Sequence, residues 1–94
     1  MIKSFADKQT ELVYNETFSK KLPPDIQRIA LRKLLMINSA SNINDLRSPP
    51  SNHLEKLTGD REGEYSIRIN DKWRICFRLE NNDDFYDVQI VDYH

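Results

Sequence analysis

The chain has 94 residues, of which 38% are apolar, 10% aromatic and 31% charged; that is enough for one small core and too little for two, so residues 1–94 read as a single domain. A formal net charge of −1 argues against nucleic-acid binding by bulk charge. No apolar run reaches the roughly 20 residues of a membrane span, and Met1-Ile2-Lys3-Ser4-Phe5 lacks the apolar stretch of a secretory signal.

Ile2 to Ala6 reads as a short first strand. Asp7 to Thr17 reads as a short helix, with Leu12, Val13 and Phe18 as a weak apolar stripe. A stronger helix follows. Pro23-Pro24-Asp25 starts it, proline being tolerated in the first turn and an acid favourable at the positive end of the helix dipole. Ile26, Ile29, Ala30, Leu34 and Ile37 recur at helical spacing and form its buried face, with Arg28, Arg32 and Lys33 expected off that face. Asn38-Ser39-Ala40-Ser41-Asn42 ends it, because these side chains compete for backbone hydrogen bonds.

A loop containing Arg47-Ser48-Pro49-Pro50-Ser51 comes next, then a short strand within His53 to Leu57. Gly59-Asp60-Arg61-Glu62-Gly63 is a turn and contains both glycines of the chain. Their placement predicts backbone angles that other residues avoid. Three strands follow. Tyr65, Ile67 and Ile69 alternate with Ser66 and Arg68. Trp73, Ile75, Phe77 and Leu79 alternate with Arg74, Cys76 and Arg78. Tyr86, Val88 and Ile90 alternate with Asp87, Gln89 and Val91. Asn70-Asp71-Lys72 and Asn81-Asn82-Asp83-Asp84 supply the turns. The expected fold class is α+β, with N-terminal helices packed on one face of an antiparallel sheet.

On the opposite face the pattern places Arg68, Arg74 and Arg78, an arrangement suited to phosphate groups. Charge is segregated along the chain: bases concentrate between Arg47 and Arg78, and after Arg78 there are only acids. The last strand ends in Asp92-Tyr93-His94. A carboxylate, a phenol and an imidazole at one strand end can orient and exchange protons near neutral pH. Antiparallel pairing with the preceding strand brings Arg74 toward them, and a cation beside proton-transfer groups fits phosphodiester cleavage. Two distant histidines and the lone Cys76 lack metal-ligand spacing, so no metal is expected. Cys76 has no dedicated base and reads as a small filler; as a single thiol it fits a reducing cytoplasm.

Gly59-Asp60-Arg61-Glu62-Gly63, Tyr65-Ser66-Ile67, Asn70-Asp71-Lys72-Trp73-Arg74-Ile75-Cys76-Phe77 and the terminal Val91-Asp92-Tyr93-His94 together resemble the HigB-type toxins of the RelE superfamily. Arg47-Ser48-Pro49-Pro50 ahead of Leu54 to Leu57 is similar to the subgroup typified by GraT. The resemblance covers essentially the whole chain, and it is the combination of motifs that is specific. It implies the RelE-like microbial RNase toxin fold and the toxin of a type II toxin–antitoxin pair. The implied activity is ribosome-dependent cleavage of messenger RNA in the A site, without cofactor or metal, through attack of the ribose 2′-hydroxyl. The implied partners are a helix-turn-helix, HigA-like antitoxin, the ribosome (16S rRNA and A-site messenger RNA), and operator DNA only through the antitoxin complex, with no membrane involved.

Carried onto this chain, the family's catalytic group is Arg74, Asp92, Tyr93 and His94. Arg47, His53, Lys56, Arg61, Arg68, Lys72 and Arg78 are the expected RNA- and ribosome-binding residues. One position departs from the family pattern. Where some HigB toxins carry a histidine upstream of the glycine turn, this chain has Glu55, with His53 two residues earlier and on the same face if both lie in a strand. Either Glu55 or His53 substitutes in proton transfer, or the site works with fewer groups. Two rival readings keep the fold: a ParE-like inhibitor of DNA gyrase, and a non-catalytic module whose arginine face binds RNA or protein.

Overall fold

The computed structural model describes residues 1–92 except Asn82. Tyr93 and His94, expected in the catalytic group, lie outside the described residues. Helix α1 spans Lys8–Tyr14 and α2 spans Pro24–Ser39. Strands β1 (Glu55–Lys56), β2 (Glu64–Arg68), β3 (Trp73–Glu80) and β4 (Asp84–Asp92) form an antiparallel sheet in that order. The helices pack on one face of the sheet, as the sequence pattern predicts.

The expected first strand is a pair of parallel bridges, Ile2 to Phe85 and Phe5 to Val88, laid along β4. Asp7 caps α1 by accepting from the Thr10 amide at 2.8 Å, which satisfies one orphan donor of the first turn. The Thr10 hydroxyl in turn accepts from the Ile90 amide at 2.9 Å and joins α1 to β4. Phe18 leaves the apolar stripe: α1 ends at Tyr14, Glu16 adopts a left-handed φ of 61°, and Phe18 emerges 60% exposed.

Ile26, Ala30, Leu34 and Ile37 of α2 are buried against Ile67, Ile75, Phe77, Phe85 and Val88. Lys33 is buried with them, contrary to the expected solvent-facing position. Its place three residues after Ala30 falls inside the apolar stripe, and the buried Asn52 meets its ammonium with Oδ1. Asn52 closes a short 3-10 turn, Pro50–Asn52, and its amide nitrogen donates to the carbonyls of Leu46 (3.1 Å) and Ser48 (3.3 Å). The 42–54 loop is thereby fixed to α2. Gly59 and Gly63 have φ of 66° and 95°, and no atom would obstruct a Cβ at either. Both are needed for backbone conformation, not for space.

The β3–β4 ladder shifts register between Cys76 and Arg78, where β4 carries one extra residue. Asp87, at φ 54°, sits in this bulge. The bulge inverts the alternation before it: Phe85 enters the core beside Phe77, at 5.2 Å between ring centroids, and Tyr86 turns outward. The simple alternation that assigned Tyr86 to the core fails for this reason.

Candidate functional site

The face of the sheet away from the helices holds Ser66, Arg68, Arg74, Cys76, Arg78, Tyr86 and Gln89. Its register is set by the Asn70–Lys72 turn, where Asn70 Oδ1 accepts from the amides of Lys72 and Trp73, both at 2.8 Å. That turn pairs Arg68 with Arg74 and Ser66 with Cys76. On the other side of β3, Arg74 pairs with Val91 and Trp73 with Asp92. Arg74 therefore lies against the closing residues of β4, at the point where the chain runs on into Tyr93 and His94.

Arg74 is not on an open face. It is only 8% exposed, its side chain reaching across β2 past Ser66 to His53 and Glu55 at the sheet edge. Its Nε donates to Ser66 Oγ at 2.8 Å, and its Nη2 donates to the His53 carbonyl at 2.6 Å and lies 3.2 Å from Glu55 Oε1. A buried guanidinium is tolerable only when its donors are met; a hydroxyl, a carbonyl and a carboxylate meet them here. The planar fork is held in one orientation, as a preorganised charge stabiliser requires.

Glu55 opposes Ser66 in the β1–β2 register and so shares Arg74's face. His53 does not share it through strand alternation: at φ 45° and ψ 56° it is left-handed and precedes β1. It reaches Arg74 through its backbone carbonyl.

Arg61, on a 3-10 turn spanning Gly59–Arg61, reaches back onto the same face. It pairs with Glu64 at 2.9 Å and donates to Gln89 Oε1 at 3.3 Å. Arg68 pairs with Asp71. Arg78 pairs with Glu80 at 3.4 Å and Asp87 at 3.3 Å, and lies over the Tyr86 ring, 5.3 Å from its centroid. Every arginine on this face thus has a carboxylate partner. Lys56 and Lys72 are exposed, Lys72 in the β2–β3 turn, and Lys56 is paired in register with Tyr65 rather than with the arginine-bearing positions. Arg47 stands apart on the 3-10 turn Ile43–Arg47 and donates from Nε to Asn44 Oδ1 at 3.0 Å.

Cys76 is fully buried in the floor of this face. Burial pushes its thiol up to about 11; Arg61 and Arg74 pull it down and are outweighed. The group stays a thiol at neutral pH, which suits filler and not a nucleophile. The sequence reading missed Ser66 and Gln89, the acceptors for Arg74 and Arg61. Ser66 alternates with Tyr65 and Ile67, so counting back from the Asn70–Lys72 turn would have placed it beside Arg74. Gln89 becomes a neighbour only through the approach of Arg61.

Residues 3–94 match the family described as the HigB-like toxin, a RelE-like toxin of the type II toxin–antitoxin system HigB. Endoribonuclease HigB of Proteus vulgaris is 38% identical, with 100% of both chains covered. Toxin HigB-1 of Vibrio cholerae is 37% identical, covering 83% of each. An uncharacterized protein of Haemophilus influenzae is 47% identical over 74% of this chain and 68% of its own. Among solved structures, a heterotetrameric YoeB–YefM toxin–antitoxin complex from Staphylococcus aureus contains a chain that matches with a TM-score of 0.60 at 19% identity. That match covers 100% of this chain and 98% of the other. Likeness at that identity bears on the fold alone.

Proposed function

The chain belongs to the HigB-like toxins of type II toxin–antitoxin systems, and from that premise we propose that it is an endoribonuclease that enters the ribosomal A site and cuts messenger RNA there. The observation that carries the proposal is Arg74, fixed by Ser66, His53 and Glu55 against the end of β4. The name of the Proteus relative, an endoribonuclease similar over its full length, supports the same chemistry.

In this reaction the ribose 2′-hydroxyl loses its proton and attacks the adjacent phosphorus. The bond to the 5′-oxygen breaks, and that oxygen takes up a proton. The products are a 2′,3′-cyclic phosphate and a free 5′-hydroxyl. Arg74 stabilises the charge on the pentacovalent phosphorane. Asp92 and His94 are the proton-transfer pair and Tyr93 positions a base. Glu55, an acceptor already beside Arg74, is the substitute for the missing family histidine. Arg61, Arg68 and Arg78 face the RNA backbone, and Arg47, His53, Lys56 and Lys72 contact ribosomal RNA. A HigA-like antitoxin neutralises the toxin in the cytoplasm.

The test is mapping of transcript 5′ ends on purified ribosomes. Wild type should give frame-dependent cuts; His94→Ala and Arg74→Lys should lose them while ribosome binding remains. Cuts that persist in His94→Ala, or toxicity without cuts accompanied by loss of gyrase supercoiling activity, would overturn the proposal.

A further inference from the structure

The bulge in β4 decides which aromatic side chain faces the arginines. Val88 and Ile90 are buried in the core, and strict alternation would carry Tyr86 in with them and leave Phe85 outside. The extra residue reverses this: Phe85 is fully buried, and the half-buried Tyr86 turns onto the outer face. Asp87 holds the reversal at φ 54°, a conformation that residues with a side chain rarely adopt and that clusters at functional sites. The N-terminal segment pins it. Ser4 Oγ accepts from the Asp87 amide at 2.9 Å, and the Ser4 carbonyl accepts from the Val88 amide at 3.1 Å.

Tyr86 has no place in the core. Among the described residues, Phe5, Tyr14, Tyr65, Trp73, Phe77 and Phe85 belong to the core or pack against it, and Phe18 lies on the helix side. Of the described aromatic residues, Tyr86 is the one that shares a face with the arginines. Arg78 is its partner in register and lies over its ring, 5.3 Å from the centroid, with a side chain that is 42% exposed. Arg74 is on the same face of β3, roughly 13 Å from Arg78 at about 3.3 Å per residue. Arg61 reaches Gln89, which pairs with Cys76 midway between them.

Single-stranded RNA is held by cations that follow its backbone and by aromatic rings on which its bases stack. This face carries both. We propose that Tyr86, with Arg78 over it, is a stacking subsite for one base of the RNA strand whose bond is cut at Arg74. A strand stacked at about 3.4 Å per nucleotide covers the distance from Arg74 in about four nucleotides, and a more extended strand in fewer. Arg61 and the edge of Arg78 follow the phosphates, and the ring takes the base. Every base has a π face, so the subsite adds affinity and fixes the strand's position while imposing little sequence preference. An acidic peptide would meet the arginines but leave the ring without a stacking partner, which favours RNA. The inference rests on the reading of this face as the RNA-cleaving site.

The experiment measures cleavage of a ribosome-bound synthetic messenger by the full chain at subsaturating toxin. Single abasic residues are placed in turn at each position within about four nucleotides of the cut. In wild type, one of them should slow cleavage by about 5- to 150-fold, the range for losing one base–aromatic stack. Tyr86→Ala should slow cleavage of the intact messenger by a similar factor, and in that variant the same abasic residue should have no further effect. Tyr86→Phe and Tyr86→Trp keep the ring and should stay within about threefold of wild type. If Tyr86→Ala lowers the melting temperature, Tyr86→Leu decides: it keeps apolar bulk without a ring and should be slow. Abasic residues that slow Tyr86→Ala as much as wild type at every position overturn the subsite. Tyr86→Phe as slow as Tyr86→Ala assigns the effect to the hydroxyl and overturns stacking. Tyr86→Ala that cuts normally but escapes a co-expressed antitoxin overturns it in favour of a protein contact. Wild type that cuts no messenger overturns the nuclease reading and the subsite with it; wild type that cuts regardless of every neighbouring base overturns the subsite alone.

Discussion

Replacing Asn52 by alanine should destabilise the protein more than any exposed substitution, and the structure gives the size. Asn52 is fully buried, and it accepts from Lys33, itself only 4% exposed. Removing that acceptor strands a buried ammonium, at about 1.5–3 kcal/mol for a lost bond to a charged group. The Leu46 and Ser48 carbonyls lose a donor, at about 0.5–1 kcal/mol each. The sum is roughly 3–4 kcal/mol, a fall in Tm of about 20 °C for a domain this size. Lys33→Met should cost less, since it removes the desolvated charge and leaves only the Asn52 oxygen unmet. The double variant should then be less destabilised than the sum of the singles, by about 1–2 kcal/mol. Urea denaturation of the four proteins measures this directly. Additivity within about 0.5 kcal/mol would refute the claim that the two side chains are coupled. The same variants should lower cleavage activity, because the adjacent His53 carbonyl is one of the groups that fixes Arg74.

Lys33 also makes stability depend on pH. Burial first, and Arg32 second, hold its ammonium below the ordinary value of 10.5. The unfolded chain therefore keeps a proton that the folded chain releases, and stability should rise as pH climbs from the folded value to 10.5; Lys33→Met should lack that slope in melts across the alkaline range. Gly63→Ala should lose about 1 kcal/mol or more from backbone strain alone, since φ is 95° and the added methyl meets nothing; an unchanged denaturation midpoint would contradict this. Cys76 should react slowly with maleimide at pH 7.5 and fast only on unfolding, because the thiol is buried and raised to about 11. Asp87→Asn should keep the bulge, as asparagine tolerates the left-handed region, while releasing Arg78 from one carboxylate. Ribosome association should tighten, and its log–log salt slope should steepen by about 0.7–0.9 for the cation gained.

The fold was largely legible in the sequence because its two signals are local. The 3.6-residue stripe of Ile26 to Ile37 and the two-residue alternation of Tyr65 to Leu79 each report a buried face without reference to anything distant. The failures arise where something outside the simple period intervenes, a distant partner in one case and a local break in two. Lys33 reads as a surface lysine until Asn52, 19 residues on, supplies its acceptor. Tyr86 reads as core until the extra residue at Asp87 inverts the alternation. Phe18 continues the α1 pattern on paper, but the helix stops at Tyr14. In the candidate site, the alternation put Arg74 on the right face, and the hairpin turn gave its register. Its burial depends on the short strand β1 pairing at the edge of β2 and bringing His53 and Glu55 within its reach, which no periodicity announces.

On the proposed RNA-cleaving reading, the pairing of every sheet-face arginine bears on how a chain with net charge −1 would present a phosphate site. Asp71 and Asp87 have side chains that are 93% and 56% exposed, and exposed ion pairs such as theirs with Arg68 and Arg78 are worth about 0–1 kcal/mol each. A phosphate can displace such a carboxylate at little cost and gains the bidentate geometry that arginine offers. On the proposed RNA-cleaving reading, these carboxylates are placeholders that keep the guanidinium groups of Arg68 and Arg78 oriented until RNA displaces them. Arg74 differs in kind. Ser66 and His53 hold it from inside the fold, so its orientation does not depend on Glu55, which stays beside it for proton transfer in the proposed reaction. Transition-state stabilisation needs a charge that does not reorganise as the reaction proceeds; of the described arginines of this face, Arg74 is the one buried below a tenth exposure and anchored by both a hydroxyl and a backbone carbonyl.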